Sequence, residues 1–212
     1  MTRNRLDIAA IALGIAGLLL PLAACGSDGS GAAGPTATGT PTATVSSGGP
    51  SATGSPSVSP PTWPTDDVTV PFPGEVPPVP TLTALRVGSH PEGGFDRISF
   101  EFDGLPGYRA GYQSKIVYDG SGEPVNLDGD AFLQLVFNPA QAHDAQGQPI
   151  LVPAQTRPVT VGYPALVAYV LNGDFEGYVS VALGLSGQLG FNIEQFRQAD
   201  GHYVIYVDVA WP

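Results

Sequence analysis

Arg97-Ile98-Ser99-Phe100-Glu101-Phe102 alternates apolar and polar residues without a break, so Ile98, Phe100 and Phe102 fall on one face and Arg97, Ser99 and Glu101 on the other. A period of two is the signature of a strand with one side on a core and one side on water. Asp103-Gly104 closes it with a turn pair. The same grammar continues outward in both directions: Thr83 to Val87, Tyr108 to Tyr112, Phe132 to Phe137, Ala165 to Leu171, Gly177 to Leu183, Phe191 to Arg197 and Tyr203 to Val209 read as further strands. Asp119-Gly120, Asp128-Gly129, Asn172-Gly173 and Asp200-Gly201 punctuate them, and Asp200-Gly201, between two well-formed runs, predicts a hairpin. Asn138 to Gln146 hints at a helical turn too short to carry a layer. About eight short, mostly antiparallel strands with almost no helix predict an all-β fold, a single β-sandwich over residues 81–212.

Upstream the composition changes. From Gly26 to about Pro80 nearly every position is Gly, Ser, Thr, Pro, Ala or Val, with Asp28, Asp66, Asp67 and Glu75 as the charges. Such a segment buries too little apolar area to offset chain entropy, so residues 25–80 are expected to form a disordered tether, stiffened where Pro60-Pro61-Thr62-Trp63-Pro64 and Pro71 to Pro80 raise the proline content. Trp63 is its odd residue, expected to make a local contact with the domain or the wall. Residues 1–24 have the layout of an export signal: Arg3 and Arg5, an apolar stretch from Ile8 to Leu20, then Leu22-Ala23-Ala24-Cys25. Asp7 and Pro21 leave that stretch short of the ~20 residues a membrane span needs. The Leu22-to-Cys25 quartet matches the lipobox of bacterial lipoproteins, which makes Cys25 the expected site of lipid attachment and the new N-terminus after cleavage. Anchored by two or more acyl chains, the protein is expected at the extracytoplasmic face of the cell membrane. Cys25 is the only cysteine, so the domain has no disulfide and must be held by packing.

Without the signal, six basic residues face 18 acidic ones, a formal charge of −12. Nucleic acid, whose binding needs clustered Lys and Arg, is disfavoured as a partner, and so are anionic headgroups and free anionic wall polymers. No cofactor is expected. A weakly held divalent cation is left open.

The chain also resembles a known family. GFDRISFEFDGLPGY from Gly94 to Tyr108, DGSGEPVNLDGDAFL from Asp119, NPAQAHD ending at Asp144, GDFEGYVSVALGL from Gly173 to Leu185 and the closing YVIYVDV are similar, in order, to the AMIN-like domain of actinobacterial lipoproteins. The resemblance covers most of residues 82–212. It implies a β-sandwich module without catalysis, one that binds peptidoglycan or positions its carrier in the envelope. An adaptor that tethers another envelope protein is the alternative.

Ser89-His90-Pro91-Glu92-Gly93-Gly94-Phe95-Asp96 gathers a histidine and two carboxyls, yet its spacing fits no metal motif, and a turn whose His and Asp bond to backbone is favoured. His143-Asp144 reads as an Asx or cap position. Ser186 lacks the spacing and the strand-to-helix elbow of a hydrolase nucleophile. Asp119, Asp128 and Asp130 lack the twelve-residue calcium loop. No enzyme is expected. For a binding module the candidates are Tyr108, Arg109 and Tyr112, with tyrosines to stack on sugar rings, and Arg97, whose forked donors suit a peptide carboxylate. Against this, tyrosines in sandwiches commonly belong to the core, and Arg97 has Asp96 and Glu101 beside it for local pairing.

Overall fold

The computed structural model describes residues 58–152 and 155–212. The signal segment, Cys25 and the first part of the expected tether lie outside the described residues. Ten strands form in chain order: β1 (Val68–Val70), β2 (Leu82–His90), β3 (Phe95–Phe102), β4 (Gly107–Gln113), β5 (Ala131–Asn138), β6 (Val159–Thr160), β7 (Leu166–Phe175), β8 (Tyr178–Leu185), β9 (Phe191–Arg197) and β10 (Tyr203–Ala210). They make two sheets with the orders β1-β4-β5-β8-β7-β6 and β2-β3-β10-β9, every pairing between strands antiparallel. The chain is all-β, as the alternation predicts.

The opening hexapeptide lies in the middle of the smaller sheet, between β2 and β10. Its alternation holds at every residue: Ile98, Phe100 and Phe102 are buried, and Arg97, Ser99 and Glu101 are half-exposed. Phe100 and Phe102 meet Phe137 of the other sheet at centroid distances of 4.9 and 5.0 Å. These tilted contacts join the two sheets, and the buried aliphatics of β5, β7, β8 and β10 fill the space around them.

Three expectations are corrected. The segment from Val58 to Pro80, expected as part of the disordered tether, lies on the sandwich as a strap. Its β1 pairs Val68, Thr69 and Val70 with Ala110, Arg109 and Tyr108, the Pro64 carbonyl accepts from the Phe191 N–H at 2.9 Å, and Trp63 packs on Phe95 at 5.8 Å. A run rich in prolines and valines suits an edge strand: it needs only a few backbone bonds, and the prolines take part in them as acceptors alone, through Pro64 and Pro80. The helical turn at Asn138 to Gln146 does not form. Pro139 has no N–H, and the next backbone groups bond outward instead, Ala140 N–H to Gly177 O and Gln141 N–H to Pro80 O. Asn172-Gly173 is not a turn but an irregularity inside β7, and the chain reverses at Glu176-Gly177, where both φ values are positive, 51° and 78°.

Candidate functional site

Alternation along β4, β5 and β8 turns one set of side chains inward and the other, including Arg109, Gln134 and Ser180, onto the outer face of the six-stranded sheet. The long β4–β5 loop folds back over part of that face. Ile116 and Leu127 pack there against Ala168, Val170 and Ala182, small or branched residues that leave room for it, and Gly184 lets the Asp128 carbonyl come to the sheet where a Cβ would collide. Asn172 ties the loop down by donating from Nδ2 to the Val117 carbonyl at 2.9 Å, and it exchanges amide hydrogen bonds with Gln134 at 3.1 and 3.2 Å.

Between this loop and the strap a cleft of about 570 Å³ stays open. Its floor carries Arg109, Gly111, Gln134, Val136 and Ser180, the loop contributes Lys115, Val117 and Asp119, and the strap contributes Asp67, Val68 and Thr69. The Asp67 carboxylate lies over Gly111 and the Asp119 carboxylate over Gly173, each in the space a Cβ would fill. Neither Arg109 nor Lys115 has a carboxylate within 4.0 Å among the described residues. Past Arg109 a second hollow of about 300 Å³ continues over Val70 to Phe72, and Tyr178 borders both. Tyr178 is 45 % and Phe175 59 % exposed; they face each other across the Glu176-Gly177 turn. Chemically the cleft offers two cations, two carboxylates, amide and hydroxyl groups, and one accessible aromatic ring.

The four candidate residues are not brought together. Arg109 is exposed in the cleft. Tyr108 and Tyr112 share a face, as expected, but it is the core face: Tyr108 stacks near Phe137, and Tyr112 packs edge-on to Phe191 and donates to the Leu189 carbonyl at 2.5 Å. Burial pushes both hydroxyls above the usual tyrosine range. Neither ring is available for stacking on a sugar. Arg97 sits on the outer face of the other sheet, its fork closed on Asp208 at 2.6 and 2.7 Å and its plane 4.0 Å from the Tyr206 centroid. The Asp208 hydrogen bonds raise its pKa further. The Nε and Nη2 edge that would read a carboxylate is closed on Asp208, so Arg97 forms a structural pair.

Tyr178, Lys115, Asp67 and Gln134 escaped the sequence reading. The Glu-Gly-Tyr order at 176–178 is the signal that marks Tyr178 as the residue leaving a hairpin turn.

His90 stacks on Phe95 at 4.7 Å and meets Glu92 at 3.2 Å, while Asp96 is buried and accepts from the Ala165 and Leu166 N–H groups at 2.6 and 3.0 Å. His143 pairs with Asp174 at 2.8 Å, not with Asp144, whose carboxylate caps its own turn through the Gln146 and Gln148 N–H groups. Ser186 donates to the Pro164 carbonyl at 2.7 Å. Among the described residues no group of three His, Cys, Asp or Glu side chains is placed to hold a metal.

A family model described as the AMIN-like domain matches residues 80–211. The chain belongs to the AMIN-like domain family. AMIN-like domains are generally non-catalytic, envelope-associated binding modules, which agrees in kind with an open polar cleft. The match starts at residue 80, so β1 and the strap wall of the cleft lie outside the matched AMIN-like segment. No curated protein and no solved structure matches the chain.

Proposed function

We propose that this AMIN-like protein is a lipoprotein, anchored through Cys25 at the extracytoplasmic face of the membrane, whose cleft binds peptidoglycan. The observation that carries the reading is the placing of Arg109 and Lys115, two of only six basic residues left after the signal, in one cleft without carboxylate partners among the described residues. An acidic protein that leaves two cations unpaired in a hollow has a site for anionic groups. Stem-peptide carboxylates supply such groups, and the exposed ring of Tyr178 gives a sugar a face to stack on. The test uses the chain from Gly26 onward, without signal or lipid, sedimented with purified peptidoglycan. Replacing Arg109 and Lys115 together by Ala is expected to lower the bound fraction roughly tenfold. Binding no better than that of an unrelated acidic β-domain overturns the reading.

An adaptor role rests on a different observation. β9 is an edge strand, and beyond Phe191, which meets the strap, it presents Phe196 at 51 % exposure. A peptide of another envelope protein can pair with such an edge. Crosslinking in cells from position 195 tests it: one dominant protein adduct supports the adaptor, and wall fragments alone speak against it.

A further inference from the structure

The cleft has a charge order as well as a charge content. Arg109, Val136, Ser180 and Gly173 form one register row across β4, β5, β8 and β7, with Arg109 at one end and Asp119 over Gly173 at the other. Three strand spacings separate the ends, about 14 Å. Asp67 lies over Gly111, two residues along β4 from Arg109, a separation of about 7 Å at the backbone. So one carboxylate stands near the cation and another stands across the floor. Neither carboxylate accepts a side-chain or backbone hydrogen bond among the described residues, whereas Asp96, Asp103, Asp144, Asp174 and Asp208 all do.

Resting on the peptidoglycan reading, we propose that the cleft takes a zwitterionic peptide residue. Its free carboxylate lies on Arg109, and its side-chain ammonium lies on Asp67, so the strap supplies the residue that sets specificity. Arg109 and the Asp67 carboxylate share one side of the cleft, two strand positions apart, and form no ion pair with each other, which suits a residue that carries both charges. A ligand bearing carboxylates alone meets Asp67 as a like charge, and one bearing ammonium alone meets Arg109 and Lys115. Gly111 is part of the device: a Cβ there displaces the Asp67 carboxylate and leaves Arg109 in place.

Calorimetry on the chain from Gly26 onward tests this with N-acetyl-L-alanyl-γ-D-glutamyl-L-lysine and the same peptide acetylated on its lysine side chain. The free peptide is expected to bind roughly tenfold more tightly. Asp67→Asn should abolish that preference, and Arg109→Ala should weaken both peptides. Amide exchange across residues 68–70 checks that the strap of Asp67→Asn stays docked. Gly111→Ala is the second variant and should lose the same preference by moving the carboxylate. Equal binding of both peptides, or a preference that survives Asp67→Asn with the strap docked, overturns the proposal. So does a tripeptide that fails to bind while whole peptidoglycan still sediments the protein, and in that case the wall-binding reading stands. Failure of peptide and peptidoglycan alike removes both.

Discussion

Asp96 is 1 % exposed and accepts four hydrogen bonds: from Ser89 Oγ at 2.6 Å, Trp211 Nε1 at 2.9 Å and the Ala165 and Leu166 N–H groups. Its partners come from β2, from the start of β7 in the other sheet and from the chain terminus, so one carboxyl joins both layers. Asp96→Ala leaves several buried donors without an acceptor and should cost about 3–5 kcal/mol, read from the shift in the urea midpoint. Glu101 shows the partly buried counterpart. It accepts from Arg86 at 2.7 Å and meets His202 Nδ1 at 3.1 Å; Arg86 first and His202 second hold its pKa down, and Glu101 in turn raises that of His202. A raised histidine contributes stability that is full below its unfolded value near 6.5 and is lost as pH rises through its folded value. A lowered carboxylate contributes above its unfolded value near 4.5 and loses this as pH falls through its folded value. His202→Gln should therefore lower Tm most at about pH 5–6 and hardly at all by about pH 8.5, which thermal unfolding across that range checks. At this scale the sequence shows residue type and parity but not partners. Tyr108 and Tyr112 share a face as the spacing requires, yet nothing in the local pattern tells that the face is inward, or that Asp208, 111 residues away, will close on Arg97.

The strands most legible in the sequence are those with a long alternating or continuous apolar run, and all eight such runs form. β1 and β6 are three and two residues long, too short for any period to register, and each exists because a longer neighbour offers it an edge. The strap is the element whose misreading mattered, because composition gives its propensity to stay unfolded and says nothing of the glycines prepared to receive it. Gly190 lies beneath the Trp63 carbonyl and Gly107 beneath the Phe72 backbone, where a Cβ collides in both cases. Gly190→Ala should push the strap off at Trp63, cost about 1–3 kcal/mol of docking and speed amide exchange at Val68 and Val70, while β9 and β10 keep their protection. The cleft depends on that contact, since its Asp67, Val68 and Thr69 wall is strap, and that wall of the candidate site was hidden for the same reason.

For the whole molecule, docking of the strap changes the reach expected from composition. Residues from Val58 onward lie on the sandwich, so they add nothing to the reach expected of residues 25–80. On the proposed function the protein then has two attachments, a lipid at Cys25 and a cleft for peptidoglycan. Each attachment should hold the protein near the other's target, so neither loss alone releases it fully. Cys25→Ser, with the signal left to direct export, should move the protein from the membrane fraction to the wall fraction. The same change combined with Arg109→Ala and Lys115→Ala should send it to the medium, while those two alone leave it on the membrane. Fractionation and immunoblotting read the three patterns. Cys25→Ser protein found wholly in the medium would mean that the cleft gives no retention of its own, and that the lipid alone keeps this domain in the envelope.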